Sequence, residues 1–422
     1  MKILVALPYA PSLIRVRPYN LVRELARRHE IGVLIAGPAP TSSELDDLYT
    51  LADTVEVVST SALGMGLSLA RAALLREPLQ AAVNRSAAAG QRMVQLLHHG
   101  LYDVVHVEHL RGSFLEAWMP PETPRVLDAV DSISLLWERT RRASLSRKHR
   151  LIASLELGAT RRYEARMMAR YDRVAVTSPE DADALRQLAP AAPLTVIPNG
   201  VDLDYFRLRG SLVEPATLVF SGKMSYHANV TAALHFVRDI LPRVRQAVPN
   251  VRLRIVGNEP PPAVKQLAAD PQIEVTGYLD DLRPAISSAT VAVCPVTVKV
   301  GIQNKILEAM ALGVPVVSSA LGARGLTARA GRDLMVADDD DRFAQHVIAL
   351  LKDDLLQARL ASAGRQYVER AHSWPAAVDA FERLYQAAIG ARTLPSPSQG
   401  GGAGGGGLPQ DSLATRSRRA TV

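Results

Sequence analysis

One acid stands alone in an apolar run. Residues 301–317 read GIQNKILEAMALGVPVV, where Glu308 is surrounded by Ile306, Leu307, Ala309, Met310, Ala311 and Leu312. A carboxylate in such company is costly unless something binds it. Gly301, Gln303 and Asn304 sit where a loop should hand over to a helix, Gly313 is a natural stop, and Pro315 opens the next strand. The first N–H groups of that helix are suited to phosphate, and Lys305 adds a positive charge at the same end. Lys305 and Glu308 share a helix face, so two readings stand: a structural ion pair, or a cation and an acid that each serve a ligand.

Other chemistry-bearing residues fall at expected strand ends. Phe220-Ser221-Gly222-Lys223 runs from a strand into a glycine turn and a cation, either a phosphate contact or a solvated lysine. DVVHVEHL (103–110) carries His106, Glu108 and His109. Alternation sends His106 and Glu108 to one face and His109 to the other, provided the strand reaches that far. His109, nearest the strand end, and His106 are the catalytic candidates, against the plainer reading of structural histidines. Asp128 and Asp131, in LDAVDS, either face a cleft or cap the next helix. The His and Cys residues look scattered, so neither a metal site nor a resident cofactor is expected.

Short β-rich apolar runs alternate with helical patterns such as 18–28 and 88–97, the rhythm of parallel βαβ units with right-handed crossovers. Strands are expected at 3–7, 32–35, 55–58, 104–107, 125–127, 174–177 and 194–197. After residue 210 the rhythm restarts, at 217–220, 252–256, 273–276, 291–293 and 315–318. The expectation is an α/β protein of two Rossmann-like halves joined near Pro198-Asn199-Gly200-Val201-Asp202, a strong turn signal. Ligands then bind beyond the carboxyl ends of the strands.

Length and charge agree. A chain of 422 residues exceeds what one core usually supports. The net charge of +7 favours phosphate-bearing partners or an anionic surface without choosing between them. Residues 139–150, RTRRASLSRKHR, concentrate six Arg or Lys with no acid, which suits an anionic membrane surface or a solvated face. Nucleic acid is disfavoured, since aromatic content is 5 % and no stacking module is visible. Cys294 is the single cysteine, so no intrachain disulfide forms and a reducing compartment fits. MKILVALPYA reads as a first strand, and no apolar run reaches the roughly eighteen residues of a membrane span. The expected location is cytoplasmic, with peripheral attachment to the inner membrane face left open. Seven glycines among the eight positions 400–407 predict disorder over 392–422.

Four segments together, TVIPNGVDLDYF (195–206), SGKMSYHANV (221–230), NKILEAMALGVPVVSS (304–319) and HSW (372–374), resemble the retaining glycosyltransferases of family four, which have the GT-B fold. The resemblance covers roughly residues 1–388 and is strong from 172 onward. It implies two Rossmann-like domains facing across a cleft: 1–198 for the acceptor, 199–373 for a nucleotide-sugar donor, and a helix at 374–391 crossing back to the first. The function implied is sugar transfer, with retention, to a glycan or lipid-linked acceptor in exopolysaccharide or envelope glycan synthesis. By the same resemblance Glu308 binds the ribose hydroxyls, and the amides of Gly301, Ile302, Gln303 and Asn304 hold sugar and phosphate. Lys223 and Gly222 meet the pyrophosphate, and the loop at Tyr278 lies near the base. A functional histidine of the family falls near His109 or His106.

The chain also departs from that pattern. Val300 occupies the place of an acid that contacts the donor sugar, leaving Gln303 or Asn304 to replace it, as in a subset of the family with a GIQNK-type loop. Lys223 stands for an arginine and Asn229 for a lysine. The first βα loop, PYAPSLIRVRP, carries Arg15 and Arg17 where many members have paired glycines. Those arginines, with Asp131, are candidates for phosphate or acceptor contacts, or else line a basic surface loop.

Overall fold

The computed structural model describes residues 1–12, 15–143, 147–207, 212–297 and 302–393. Seven parallel strands form the first sheet: β1 Lys2–Leu7, β2 Glu30–Gly37, β3 Thr54–Ser59, β4 Val104–Glu108, β5 Arg125–Val130, β6 Arg173–Val176 and β7 Leu194–Val196. Their spatial order is β3-β2-β1-β4-β5-β6-β7. Six parallel strands form the second: β8 Glu214–Ser221, β9 Arg252–Val256, β10 Ile273–Gly277, β11 Ala289–Cys294, β12 Val316–Ser319 and β13 Met335–Ala337, ordered β10-β9-β8-β11-β12-β13. Central strands such as KILVAL are buried on both faces, which is why they read as unbroken apolar runs. β6 and β7 stop one residue short of the sequence expectation. β13, a three-residue edge strand, escaped it altogether.

Strand order reverses once in each sheet, between β1 and β4 and between β8 and β11. At such a switch point neighbouring crossovers lie on opposite faces and a crevice opens beyond the strand ends. Both crevices therefore sit where the chemistry-bearing residues lie.

Two quoted motifs meet where the chain passes between the sheets. Val201 N–H donates to the His372 carbonyl at 2.7 Å, and Val201 bridges Ser373. His372 Nδ1 donates to the Asn199 carbonyl at 2.9 Å, while Nε2 accepts from the Tyr367 hydroxyl at 2.8 Å. Gly200 leaves no room for a side chain, since a Cβ would lie 2.6 Å from the Trp374 nitrogen. Helix Trp374–Thr393 then returns to the first sheet and buries Val378, Phe381 and Tyr385 against Ile3, Val5 and Val104. It runs to Thr393, so 392 and 393 are helical rather than part of the expected tail. The remainder of that tail lies outside the described residues.

Candidate functional site

The crevice at the β8/β11 switch point is built on two glycines. β8 ends in Ser221 and the chain turns at Gly222, φ 150°, while β9 gives way to Gly257, φ 153°. A Cβ on Gly257 would fall 1.8 Å from the Gly222 carbonyl oxygen. Both the backbone conformation and the contact thus demand glycine. Gly257→Ala is expected to displace the Gly222 loop, costing about 2–4 kcal/mol. Thermal melts should show the loss, and titration with nucleotide-sugar should weaken with it.

Lys305 reaches this loop from helix Asn304–Ala311. Its Nζ donates to Asn229 Oδ1 at 2.6 Å and lies 5.1 Å from the Phe220 ring centroid, and Asn229 Nδ2 donates to the Lys223 carbonyl at 2.8 Å. The asparagine that stands in place of a lysine therefore ties one cation to the glycine loop. Burial lowers the Lys305 pKa. No ion pair joins Lys305 to Glu308, and no hydrogen bond reaches the Glu308 carboxylate among the described residues. Burial raises that carboxyl to about 6, with Lys305 pulling the other way. Of the two readings open in the sequence, the structural pair does not form. Among the described residues no side chain caps the start of this helix, Gln303 included.

The neighbours divide by exposure. Asn304 Oδ1 is buried without a partner, and Ile302 packs its side chain on the second core. Gln303 only touches Lys305, at 3.5 Å. Lys223 is half exposed and 3.8 Å from Glu259, a loose surface pair that leaves it free to swing. Tyr278 is exposed just beyond Gly277, φ 70°. Val300 and Gly301 lie outside the described residues.

The first sheet presents a different chemistry. β4 ends at Glu108, and His109 takes φ 61°, so alternation stops there. His109 Nδ1 accepts from the Arg111 N–H at 3.2 Å, and burial, with Arg111, lowers its pKa to about 4, so the ring is neutral at pH 7. Glu108, buried, is raised to about 8 by desolvation and by Asp128, against Arg17, Arg15 and the Tyr9 hydroxyl. Its Oε2 has no partner among the described residues. Asp131 accepts from Thr177 Oγ1 at 3.2 Å; burial and Asp181 raise it to about 6. It acts across the cleft, adding to the burial that raises the Tyr226 phenol.

Glu108 gives a clean pH prediction. Its folded pKa lies above the ordinary 4.5, so between about 4.5 and 8 the native state keeps a proton that the unfolded chain has lost. Its contribution is therefore lost as pH rises, at about 1.4 kcal/mol per unit. Glu108→Gln removes this slope. The wild-type denaturation midpoint should fall relative to the variant between pH 6 and 8, and parallel profiles would contradict the assignment.

Two candidates are corrected. His106 does not reach the cleft: it is 1 % exposed, its Nδ1 accepts from Tyr385 at 2.9 Å, and Phe381 meets its ring edge-on at 5.2 Å. Helix Trp374–Thr393 covers it, and burial lowers its pKa to about 4. Arg17 is no free phosphate ligand. Its Nε and Nη2 donate to the Asp128 carboxylate at 2.6 and 3.0 Å, and Nη1 to Asn199 Oδ1 at 2.9 Å and the Ile197 carbonyl at 3.1 Å. It clamps the first βα loop to β5 and the inter-sheet crossing, which also removes Asp128 from the cleft. Arg15, half exposed, stacks on Tyr9 at 4.5 Å and lies 3.7 Å from Glu44.

Sequence reasoning assigned no role to Glu108 or Tyr9; the strand end at 108 was the available signal. The histidines are also less scattered than they read. His235 sits between Asp239, at 2.8 Å, and Asp340, at 2.9 Å, the donor types for a cation but here hydrogen-bonded among themselves. In the basic segment, Arg139 pairs with Glu180 and Arg142 with Glu138, while 144–146 lie outside the described residues.

Residues 15–205 match the family model described as Glycosyltransferase Family 4, and residues 215–353 the one described as Glycosyl transferases group 1. A phosphatidyl-myo-inositol mannosyltransferase of Mycobacterium tuberculosis is 33 % identical over 210 residues, 46 % of this chain and 54 % of that protein. A GDP-mannose:cellobiosyl-diphosphopolyprenol alpha-mannosyltransferase of Xanthomonas oryzae pv. oryzae is 26 % identical over 233 residues, 52 % of this chain and 60 % of its own length. The chain thus spans about half the length of the curated relatives it matches. The crystal structure of Anabaena Alr3699/HepE in complex with UDP and glucose superposes at TM-score 0.62, with 15 % identity, over 92 % of this chain and 99 % of that one. The likeness establishes the two-sheet architecture, GT-B, anticipated from the sequence.

Proposed function

The chain belongs to the GT-B glycosyltransferases of family four, and on that premise we propose that it transfers a sugar, with retention, from a nucleotide-sugar donor to a lipid-linked acceptor in envelope glycan synthesis. The observation that carries the reading is Glu308, unpaired among the described residues, beside the Lys305–Asn229 bridge. With no partner among the described residues, the Glu308 carboxylate accepts hydrogen bonds from the two ribose hydroxyls. One helical turn away, Lys305 and the open amides of helix Asn304–Ala311 meet the diphosphate, with Lys223 swinging in from the glycine loop. These charges offset the one that grows on the leaving nucleoside diphosphate. No resident metal or cofactor is assigned. Closure about the paired crossings at 198–202 and 372–374 excludes water and protects the donor. On the acceptor side, the reading gives Asp131 and neutral His109 the acceptor contacts and Arg15 a lipid phosphate.

Two relatives carry GDP-mannose in their names, so that donor heads the test. The chain is incubated with GDP-mannose, GDP-glucose and UDP-glucose, each with phosphatidylinositol or with polyprenyl-diphosphate-linked glycans. Label moving into the lipid phase supports transfer, and NMR of the product reports the anomer. An epimerised donor, or donor bound without turnover across the panel, overturns the reading in favour of an epimerase or a non-catalytic subunit.

A further inference from the structure

Arg365 sits where two parts of the chain meet. It belongs to helix Asp354–Ala371, and its side chain is 17 % exposed. Its Nη1 donates to two carbonyls at once: that of Ala311, the last residue of helix Asn304–Ala311, and that of Phe206, at 2.9 Å. Nε donates to Glu369 at 2.6 Å, which fixes the guanidinium from its own helix. A helix leaves its last carbonyls unpaired, and its dipole favours a cation there. One contact would meet that need. Nη1 has two hydrogens, and both are committed, one to each carbonyl. The end of the helix that carries Lys305 and Glu308 therefore cannot shift relative to Phe206 without breaking a bond.

The turn that holds Phe206 is gripped from the other side as well. The Asp202 carbonyl accepts from the Phe206 N–H at 2.7 Å, and its carboxylate from the Asp204 and Tyr205 N–H groups at 3.1 and 2.9 Å. The same carboxylate meets Arg23 Nη1 at 2.7 Å, from helix Val16–Ala26 of the first domain. Those two side chains are only 24 and 19 % exposed, so the pair is more than a loose surface contact. The Tyr205 carbonyl accepts from Arg283 Nη1 at 2.9 Å, and that guanidinium lies 3.8 Å from the Tyr205 ring centroid. Three arginines from three separate helices thus converge on five residues of backbone. Arg23 alone of them comes from the first domain. A turn that merely joined two domains would need no such set of contacts.

We propose that Arg365 is a positioning residue of the donor pocket, linking the place of helix Asn304–Ala311 to the turn at 202–206 and, through Asp202 and Arg23, to the first domain. A displacement of the first domain at Arg23 then reaches Lys305 and Glu308 without any direct contact between them. The use of this linkage, aligning those two residues with the donor when the first domain is in place, rests on the transferase reading. The linkage itself does not.

Hydrogen exchange of the full chain without nucleotide tests the linkage, so its result stands apart from that of the transfer assay. The Leu312, Gly313 and Val314 amides close the end of the donor helix, donating to the Glu308, Met310 and Ala309 carbonyls at 3.0, 3.0 and 2.9 Å. Arg23→Met, made in the other domain, is expected to speed their exchange about threefold to tenfold, with helix Ala87–Gly100 unchanged as the control for global opening. In an Arg365→Met background the same substitution should add nothing at those amides. Arg365→Lys, which keeps the charge but not the fork that spans two carbonyls, is the second background and should behave alike if the methionine variant folds poorly. Unchanged exchange at 312–314 in Arg23→Met overturns the proposal. So do simply additive effects of the two substitutions, since the sites then act independently. In the transfer assay Arg365→Lys should raise the donor KM about tenfold and leave the acceptor KM as it was, a split that general loss of stability does not produce. A donor KM equal to that of the wild type overturns the assignment to the donor pocket.

Discussion

Glu308→Gln is expected to lower kcat/KM for the nucleotide-sugar by about tenfold to a hundredfold, most of it through KM. A hydrogen bond to a charged acceptor contributes about 1.5–3 kcal/mol, and 1.4 kcal/mol is a factor of ten. Glutamine keeps the volume beside the buried Ile306, Leu307 and Met310, so the helix should pack as before. The melting temperature therefore serves as a control that separates binding from folding. pH adds a second signature. The free carboxyl titrates near 6, so donor affinity in the wild type should fall as pH drops through that value, because a protonated oxygen no longer accepts. The glutamine variant should show no such step between pH 5 and 8. An unchanged donor KM would remove Glu308 from the site.

The second large effect concerns stability. Asp128→Ala leaves the Arg17 guanidinium buried with its bidentate partner gone, and breaking such a pair costs about 3–5 kcal/mol. Denaturant midpoints should fall accordingly. The double variant Arg17→Met, Asp128→Leu should recover much of the loss, because it removes both charges together. A phosphate-binding Arg17 predicts otherwise: Arg17→Lys would raise donor KM with little change in stability. The clamp predicts a clear loss of stability for Arg17→Lys, since lysine cannot span Asp128, Ile197 and Asn199 at once. Chemical denaturation with donor titration on the same protein tells the two apart.

How much could be read beforehand follows the range of each interaction. The strand at 252–256 and the loop–helix–strand unit around Glu308 were legible because apolar runs, a glycine stop and a proline restart are local signals. The conformational demand at Gly222 and Gly257 was only half legible. A glycine after a strand suggests a turn, but the 1.8 Å approach between the two loops depends on β8 and β9 being neighbours. His106 and Arg17 were misread for a related reason. Each lies in or beside a segment where functional residues belong, and nothing nearby in the chain shows what covers them.

Residue order alone determined the periods of the elements, the turn at Pro198-Asn199-Gly200 and the placing of an acid three residues after a lysine, because these are set within a few residues of backbone. Tertiary structure decided which charges remain available. Arg17 is neutralised by Asp128, 111 residues away, and His106 is capped by Tyr385, 279 residues away, after the last helix crosses back. Lys305 turns to Asn229, 76 residues away, and leaves Glu308 without a partner among the described residues. Burial makes each of those choices costly to reverse, and a buried group's partner is set by how strands and helices pack.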